Sequence, residues 1–371
     1  MKITLQILII LTLLSCQLTL PGNGKPFTST TIEFDLFATR TPLLVEAEDS
    51  PHWSPNGQQL AIECYLSGPT EEIAGSGGLR RYTIEAADIC IIDHNGKNRI
   101  QVTTQPGADR YPTWSPAGQW IAYTRLDGIH LIKPNGLGHR HLVSISNTHQ
   151  IDQVNKVTWS ADGTQILFSA CFTNDTNYDV YVVDVKTGAL TNLTSKSDRY
   201  NFKPVWALND EKIFFESYKP FLDTQPCSRR TKDLQLKMIN RNGSDEQVIY
   251  NQQENLDTLY PYSISISNDG HIAFISGEHE FSTSGDIYTM RFDEREPIKT
   301  PLKAARLYSW SSDGKRLFTS YLEIFNIETG EIQKLTWPGG INDTSWSPDG
   351  QKIAVAGRVM DLDFFYKNYI Y

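Results

Sequence analysis

Asp-Arg-Tyr occurs twice in the chain, at Asp109-Arg110-Tyr111 and at Asp198-Arg199-Tyr200. A carboxylate, a guanidinium and a phenol brought together can hold a peptide, a glycan or a cation by charge and directed hydrogen bonds. Residues of the same types recur in similar settings: Asp49, Asp257 with Tyr260, Arg306 with Tyr308, and Asp343. If the fold makes them converge, they form a ligand-binding ring. The competing reading is structural, with each aspartate capping a turn and each arginine pairing with it. Covalent chemistry has less support. There is no G-x-S-x-G, and the glycine-rich stretch SGPTEEIAGSGGLRRYTIEA (67–86) lacks the G-x-x-x-x-G-K of a phosphate cradle. No catalytic residue is therefore assigned.

Whether the ring exists depends on what positions it, and that is a repeat. HWSPNGQQLAIE (52–63), TWSPAGQWIAYT (113–124), TWSADGTQILFS (158–169), SWSSDGKRLFTS (309–320) and SWSPDGQKIAVA (345–356) share one frame. Two worn copies fit it: VWALNDEKIFFE (205–216), without the glycine, and SISNDGHIAFIS (265–276), without the tryptophan. Six of the eight tryptophans fall in this slot, so Trp marks a structural unit rather than one site. A spacing near forty residues is the signature of stacked four-stranded units.

Residues 157–195 show one unit in full. VTWS, TQILFSA, DVYVVDV and ALTNLTS are four strands joined as hairpins by SADG, a loop and a Lys-Thr-Gly turn. The second strands (QLAIE, WIAYT, ILFSA, KIFFE, HIAFI, RLFTS, KIAVA) are nearly continuous in apolar character. That pattern belongs to sheets covered on both faces. Trp fills the wedge between sheets, and Ala61, Ala122, Ala273 and Ala354 let them approach.

With their W-S-P-D-G turn, apolar strand and later aspartate-led strand (Asp88, Asp179, Asp233, Asp286), these units resemble the repeats of TolB-type propellers. The resemblance implies an all-β, seven-bladed β-propeller of four-stranded antiparallel blades over 32–357, with six or eight blades as alternatives. Strands from 32–46 are expected to pair with the C-terminal blade and close the ring, leaving an aromatic tail at 358–371. In such a propeller the W-S-P-D-G turns lie on one face. The ring of Asp49, Asp109, Arg110, Tyr111, Asp198, Arg199, Tyr200, Asp257, Tyr260, Arg306 and Asp343 lies at the opposite channel mouth.

TolB binds a peptidoglycan-associated lipoprotein, so the resemblance implies a non-catalytic scaffold for another envelope protein, a peptide or a glycan, acting as a monomer without a cofactor. Seven-bladed oligogalacturonate lyases have similar repeats and hold a divalent metal through channel histidines. That makes His52 and His279 the alternative metal ligands. His149 and His271 are scattered over other units, and no paired ligand spacing supports the site.

The N-terminus, MKITLQILIILTLLSCQ, carries a lysine and a largely apolar run, too short for a comfortable membrane span. It reads as an export signal over 1–15. Leu13-Leu14-Ser15-Cys16 resembles the lipobox of bacterial lipoproteins, which implies a lipidated Cys16 and a flexible tether to residue 31. Membrane contact is expected through that anchor only. Export leaves Cys64, Cys90, Cys171 and Cys227 where disulfides persist, and the repeat map pairs 64 with 90 and 171 with 227. A net charge of −9 with no basic run argues against nucleic acid as a partner.

Overall fold

The computed structural model describes residues 49–65, 71–72, 80–81, 87–144, 156–172, 177–220, 231–252, 260–277, 284–334, 341 and 343–356, apart from positions 106 and 295. Contacts divide the chain after Phe34, and every described residue lies in the second unit, Asp35–Tyr371. Among the described residues no helix is long and apolar enough to cross a membrane.

Strands follow the repeat. The first sheet holds β1 (Asp49–Trp53), β2 (Gln59–Tyr65), β5 (Ala87–Asp93) and β6 (Ile100–Gln101), with a small hairpin of β3 (Glu71–Glu72) and β4 (Arg80–Arg81) inside the long loop. The second holds β7 (Arg110–Trp114), β8 (Ile121–Arg125), β9 (Gly128–Ile132) and β10 (Arg140–Ser144). The third holds β11 (Thr158–Trp159), β12 (Gln165–Ala170), β13 (Asp179–Asp184) and β14 (Leu190–Asn192). Sheets four and five run from β15 (Tyr200–Ala207) through β16 (Lys212–Pro220), β17 (Thr231–Asn240) and β18 (Gln247–Asn251), then β19 (Tyr260–Ile266), β20 (His271–Gly277), β21 (Gly285–Arg291) and β22 (Ile298–Ala304). The sixth comprises β23 (Leu307–Trp310), β24 (Arg316–Thr319), β25 (Glu323–Asn326) and β26 (Ile332–Lys334).

The seven-blade expectation is corrected here. Among the described residues six sheets have four strands, while the last repeat forms the two-stranded pair β27 (Asp343–Trp346) and β28 (Ile353–Ala356). The repeat frame marks an inner hairpin, not a complete blade, so counting its seven copies overcounts the blades. Residues 32–46, expected to supply further strands, lie outside the described residues, as does the tail.

The core lies between sheets. Ala61, Ile89 and Ile91 of the first pack with Trp114, Ile121 and Tyr123 of the second, and Ala122, Ile129 and Leu131 of the second with Ile166, Phe168 and Tyr181 of the third. Similar clusters join each later neighbour, and Ala354 of the last pair packs on Trp53, Leu60 and Ile62. The W-S-P-D-G turns clamp themselves. In each, the serine hydroxyl accepts the N–H that restarts the chain, as from Gln59 to Ser54 at 2.9 Å, Trp120 to Ser115 at 3.0 Å and Lys352 to Ser347 at 2.8 Å. These serines are buried turn acceptors and not nucleophiles.

The tryptophans also carry a polar link. The indole N–H of Trp159 donates to Thr113 O at 3.2 Å, Trp206 to Thr158 O at 3.2 Å and Trp346 to Ser309 O at 3.2 Å. Trp53 donates to Ser345 O at 3.0 Å, which ties the first sheet to the last. Each acceptor is the residue just before the Trp-slot residue of the preceding sheet. Trp114 and Trp310 lack such a partner. Because one indole hydrogen bond contributes about 1 kcal/mol net, Trp159→Phe should destabilise the protein by about 1 kcal/mol more than Trp310→Phe. Equal losses in urea denaturation of the two variants would show that the indoles act only as volume.

Candidate functional site

The inner strand of four sheets carries a distortion that no motif announced. Ser50, Tyr111, Lys203 and Ser263 have φ between 48° and 53°. Each stands three residues before the Trp slot, at a register shift in its pair: between Asp49 and His52, Arg110 and Thr113, Phe202 and Val205, and Tyr262 and Ser265. A left-handed non-glycine residue costs of order 1–3 kcal/mol and persists only where its surroundings hold it. Buried polar groups do so here. Tyr111 N–H donates to Glu63 Oε1 at 2.9 Å, Lys203 Nζ lies 3.0 Å from Glu216 Oε1, Thr124 Oγ1 donates to Arg110 O at 3.2 Å, and Ser263 Oγ accepts Leu307 N–H at 3.0 Å. Glu63, Thr124 and Glu216 stand ten residues after the Trp slot, at the polar ends of otherwise apolar second strands. That recurrent position was the available signal in the sequence.

The charged residues around these bulges are engaged with one another. Asp109 is fully buried and takes a bidentate pair from Arg125, Nε to Oδ1 at 2.7 Å and Nη2 to Oδ2 at 3.0 Å. Lys156 precedes β11 in the third sheet, and its Nζ lies 3.3 Å from Asp343 Oδ2 in the last pair. Those sheets are not neighbours in the ring, so the ion pair spans the central opening. His52 sits beneath it. Its Nε2 is 3.1 Å from Thr113 Oγ1, and its Nδ1 lies within reach of Trp114 N–H at 3.3 Å. Burial, helped by the Lys156 charge, lowers the His52 pKa to about 4, so the ring is neutral at ordinary pH. Both ring nitrogens of His52 thus face protein groups.

The two Asp-Arg-Tyr copies are not equivalent. The first begins five residues before its tryptophan and the second eight. Asn201, not Asp198, occupies the place of Asp109: Asp109 N–H donates to Ala87 O, and Asn201 N–H to Tyr178 O, each into the preceding sheet. Arg110 is exposed while Arg199 is buried, bonded to Ser217 Oγ at 3.2 Å and to the carbonyls of Ser217 and Asp233. Burial pulls the Arg199 pKa down. Tyr200 packs edge-on against Tyr178 and Phe202. Asp198 and Arg306 are exposed, and Tyr308 donates its hydroxyl to Ile341 O at 2.9 Å. Of the remaining expected residues, Asp49 and Tyr260 begin β1 and β19, and Asp257 and His279 lie outside the described residues.

The aspartates that open third strands serve the scaffold. Asp88 and Asp179 accept the hydroxyls of Thr103 and Thr194, which in turn accept the N–H of Ile89 and Val180. Cys64 and Cys90 form a disulfide between β2 and β5 with Cα atoms 5.7 Å apart, as the repeat map required. Cys171 is also disulfide-bonded, and Cys227 and Cys16 lie outside the described residues. A shallow cleft of about 550 Å³ lined by Gln165, Asp210, Glu211 and Arg241 lies on the W-S-P-D-G face, away from the mouth.

Known proteins agree on the fold. The family model for the prolyl oligopeptidase N-terminal β-propeller domain matches residues 144–320. An oligogalacturonate lyase solved with manganese is 14% identical, with 81% of this chain and 83% of that one covered at a TM-score of 0.58. The chain is a β-propeller. A second oligogalacturonate lyase, from Vibrio parahaemolyticus, aligns to the propeller at 13% identity over 84% of this chain and 88% of its own, with a TM-score of 0.58. A putative TolB from Agrobacterium tumefaciens is 17% identical over 84% and 91%, with a TM-score of 0.49. No curated protein matches the sequence. At these identities the likeness establishes the fold and leaves the activity open.

Sequence reasoning passed over three histidines of the second blade, His130, His139 and His141. The H-x-H at 139–141, where β10 begins, was the available signal.

If Asp109 is a scaffold residue, Asp109→Asn should cost about 3 kcal/mol, because it leaves the Arg125 charge in a nearly closed site without its partner. A variant of unchanged thermal stability would instead make Asp109 available for a ligand.

Proposed function

We propose that the protein is a cell-envelope propeller, anchored through Cys16, that works as a non-catalytic binding scaffold for another envelope protein, a peptide or a glycan. One observation carries this reading. Three carboxylates at the mouth are each paired with a cation, Asp109 with Arg125, Asp343 with Lys156 and Glu216 with Lys203. Groups held in this way make a rigid rim and are poorly placed to transfer protons to a substrate. Recognition then falls to exposed side chains of the mouth face such as Arg110 and Arg306, carried on loops over a stiff support. The acidic overall charge suits partners other than nucleic acid.

A photo-crosslinking amino acid placed at Arg110 should give a discrete adduct in intact cells, whereas the same probe at Asn135, in a turn on the opposite face, should not. Equal labelling from both positions, or from neither, would remove the mouth as the binding surface. The anchor has its own test. Metabolic labelling with a radioactive fatty acid should mark the wild-type chain and be lost in Cys16→Ser, and label retained in that variant would rule out this attachment.

A further inference from the structure

On the outer strands of the second blade, three side chains meet that no described role uses. The two-residue turn between β8 and β9 carries Asp127, and β9 places His130 three residues later. In the sheet register Tyr123 of β8 faces His130, and His130 faces His141 of β10, so all three project on the same side. The rings stack, His130 on His141 with centroids 4.4 Å apart and nearly parallel planes. His130 Nε2 lies 2.8 Å from Asp127 Oδ1, and His141 Nε2 lies 3.2 Å from the Asp127 carbonyl. One ligand atom from each of Asp127, His130 and His141 falls within 4.8 Å of the others.

The geometry points to a cation site: Asp127, His130 and His141 together hold a divalent transition metal of the zinc class at the rim of the second blade. Two imidazoles and one carboxylate are the donor set that such ions take, rather than the all-oxygen shell of calcium or magnesium. Ligands of a tetrahedral zinc at about 2.1 Å lie roughly 3.4 Å from one another, and each imidazole binds in its own plane, so the exposed His141 must turn out of its parallel stack on His130 and Asp127 must rotate toward it to complete the site. Asp127 and His141 are exposed and can turn, while His130 is buried and fixed against Tyr123.

His139 supplies the support that metal-binding histidines require. Its Nε2 lies 3.0 Å from His130 Nδ1. With the ion on His130 Nε2, the ring carries its proton on Nδ1 and donates it to His139, which fixes tautomer and orientation. Without the ion the proton moves to Nε2 and faces Asp127, with His139 Nε2–H donating to Nδ1. The same four groups are therefore satisfied in both states. Three protein ligands leave a fourth position open to solvent on the exposed side, available to water or to a donor from a partner. The site lies on the outer strands of the blade, whereas the channel alternative rests on His52 of an inner strand.

The test is calorimetric titration of the purified full-length protein, stripped with chelator, with Zn²⁺ alone. A single saturable site is expected. Asp127→Asn and His141→Ala, both at exposed positions where folding should be kept, should weaken it about a hundredfold. His139→Ala should weaken it about ten- to a hundredfold, as loss of an outer hydrogen bond does, and His139→Gln, which keeps an acceptor, should weaken it less. His271→Ala serves as the control, because His271 pairs with Asp269 at 3.0 Å without a third ligand. With Co²⁺ as probe, visible d–d bands of low-symmetry coordination should appear in the wild type and vanish in His141→Ala. Absence of saturable binding would overturn the proposal, as would binding that survives both Asp127→Asn and His141→Ala.

Discussion

The indole that reaches back to the previous sheet is the interaction on which the rest of the molecule depends. A four-stranded sheet cannot bury two apolar faces alone, so each must dock on its neighbours, and the angle of docking decides whether the ring closes. Trp at the end of the inner strand fills the wedge, and at Trp53, Trp159, Trp206 and Trp346 its N–H also finds a carbonyl in the neighbouring inner strand, as between Trp206 and Thr158. The link from Trp53 to Ser345 joins the two ends of the described chain by the same bond used inside it.

Holding the inner strands so firmly has a consequence at their other end. Each strand is pinned at its tryptophan and must still curve around the axis, and in four sheets a bulge three residues earlier absorbs the difference. The bulge exposes backbone groups that the apolar second strand cannot satisfy. A polar residue at one fixed position is the remedy: Glu63 and Thr124 bond the backbone there, and Glu216 takes the side chain of the bulge residue Lys203. Part of the charge at the mouth thus follows from the scaffold: Glu63 holds the strained backbone at Tyr111, and Arg125 neutralises the buried Asp109. Function, on this view, sits one layer further out.

Much of this was legible in the sequence because it is local. The strands of the third sheet, the serine-clamped turns and the Cys64–Cys90 pair follow from turn chemistry and period-two patterning over a few residues. Blade number was not legible. Trp346 and its turn look like those of a full unit, yet β27 and β28 form a sheet of two strands. The repeated Asp-Arg-Tyr misled for a related reason. Identical triplets offset by three residues relative to their tryptophans fall on different parts of the strand, so Asp109 is buried where Asp198 is exposed.

By itself, then, the sequence determined the repeating unit, the W-S-P-D-G turns and the interleaved apolar strands, since each depends on neighbours within one hairpin. Tertiary structure alone decided which charges are spent and which groups meet. The Lys156–Asp343 pair joins residues of sheets far apart in the chain, and the stack of Tyr123, His130 and His141 exists only through the register of three strands. Register and ring closure depend on how whole sheets dock, and a linear motif carries no record of that.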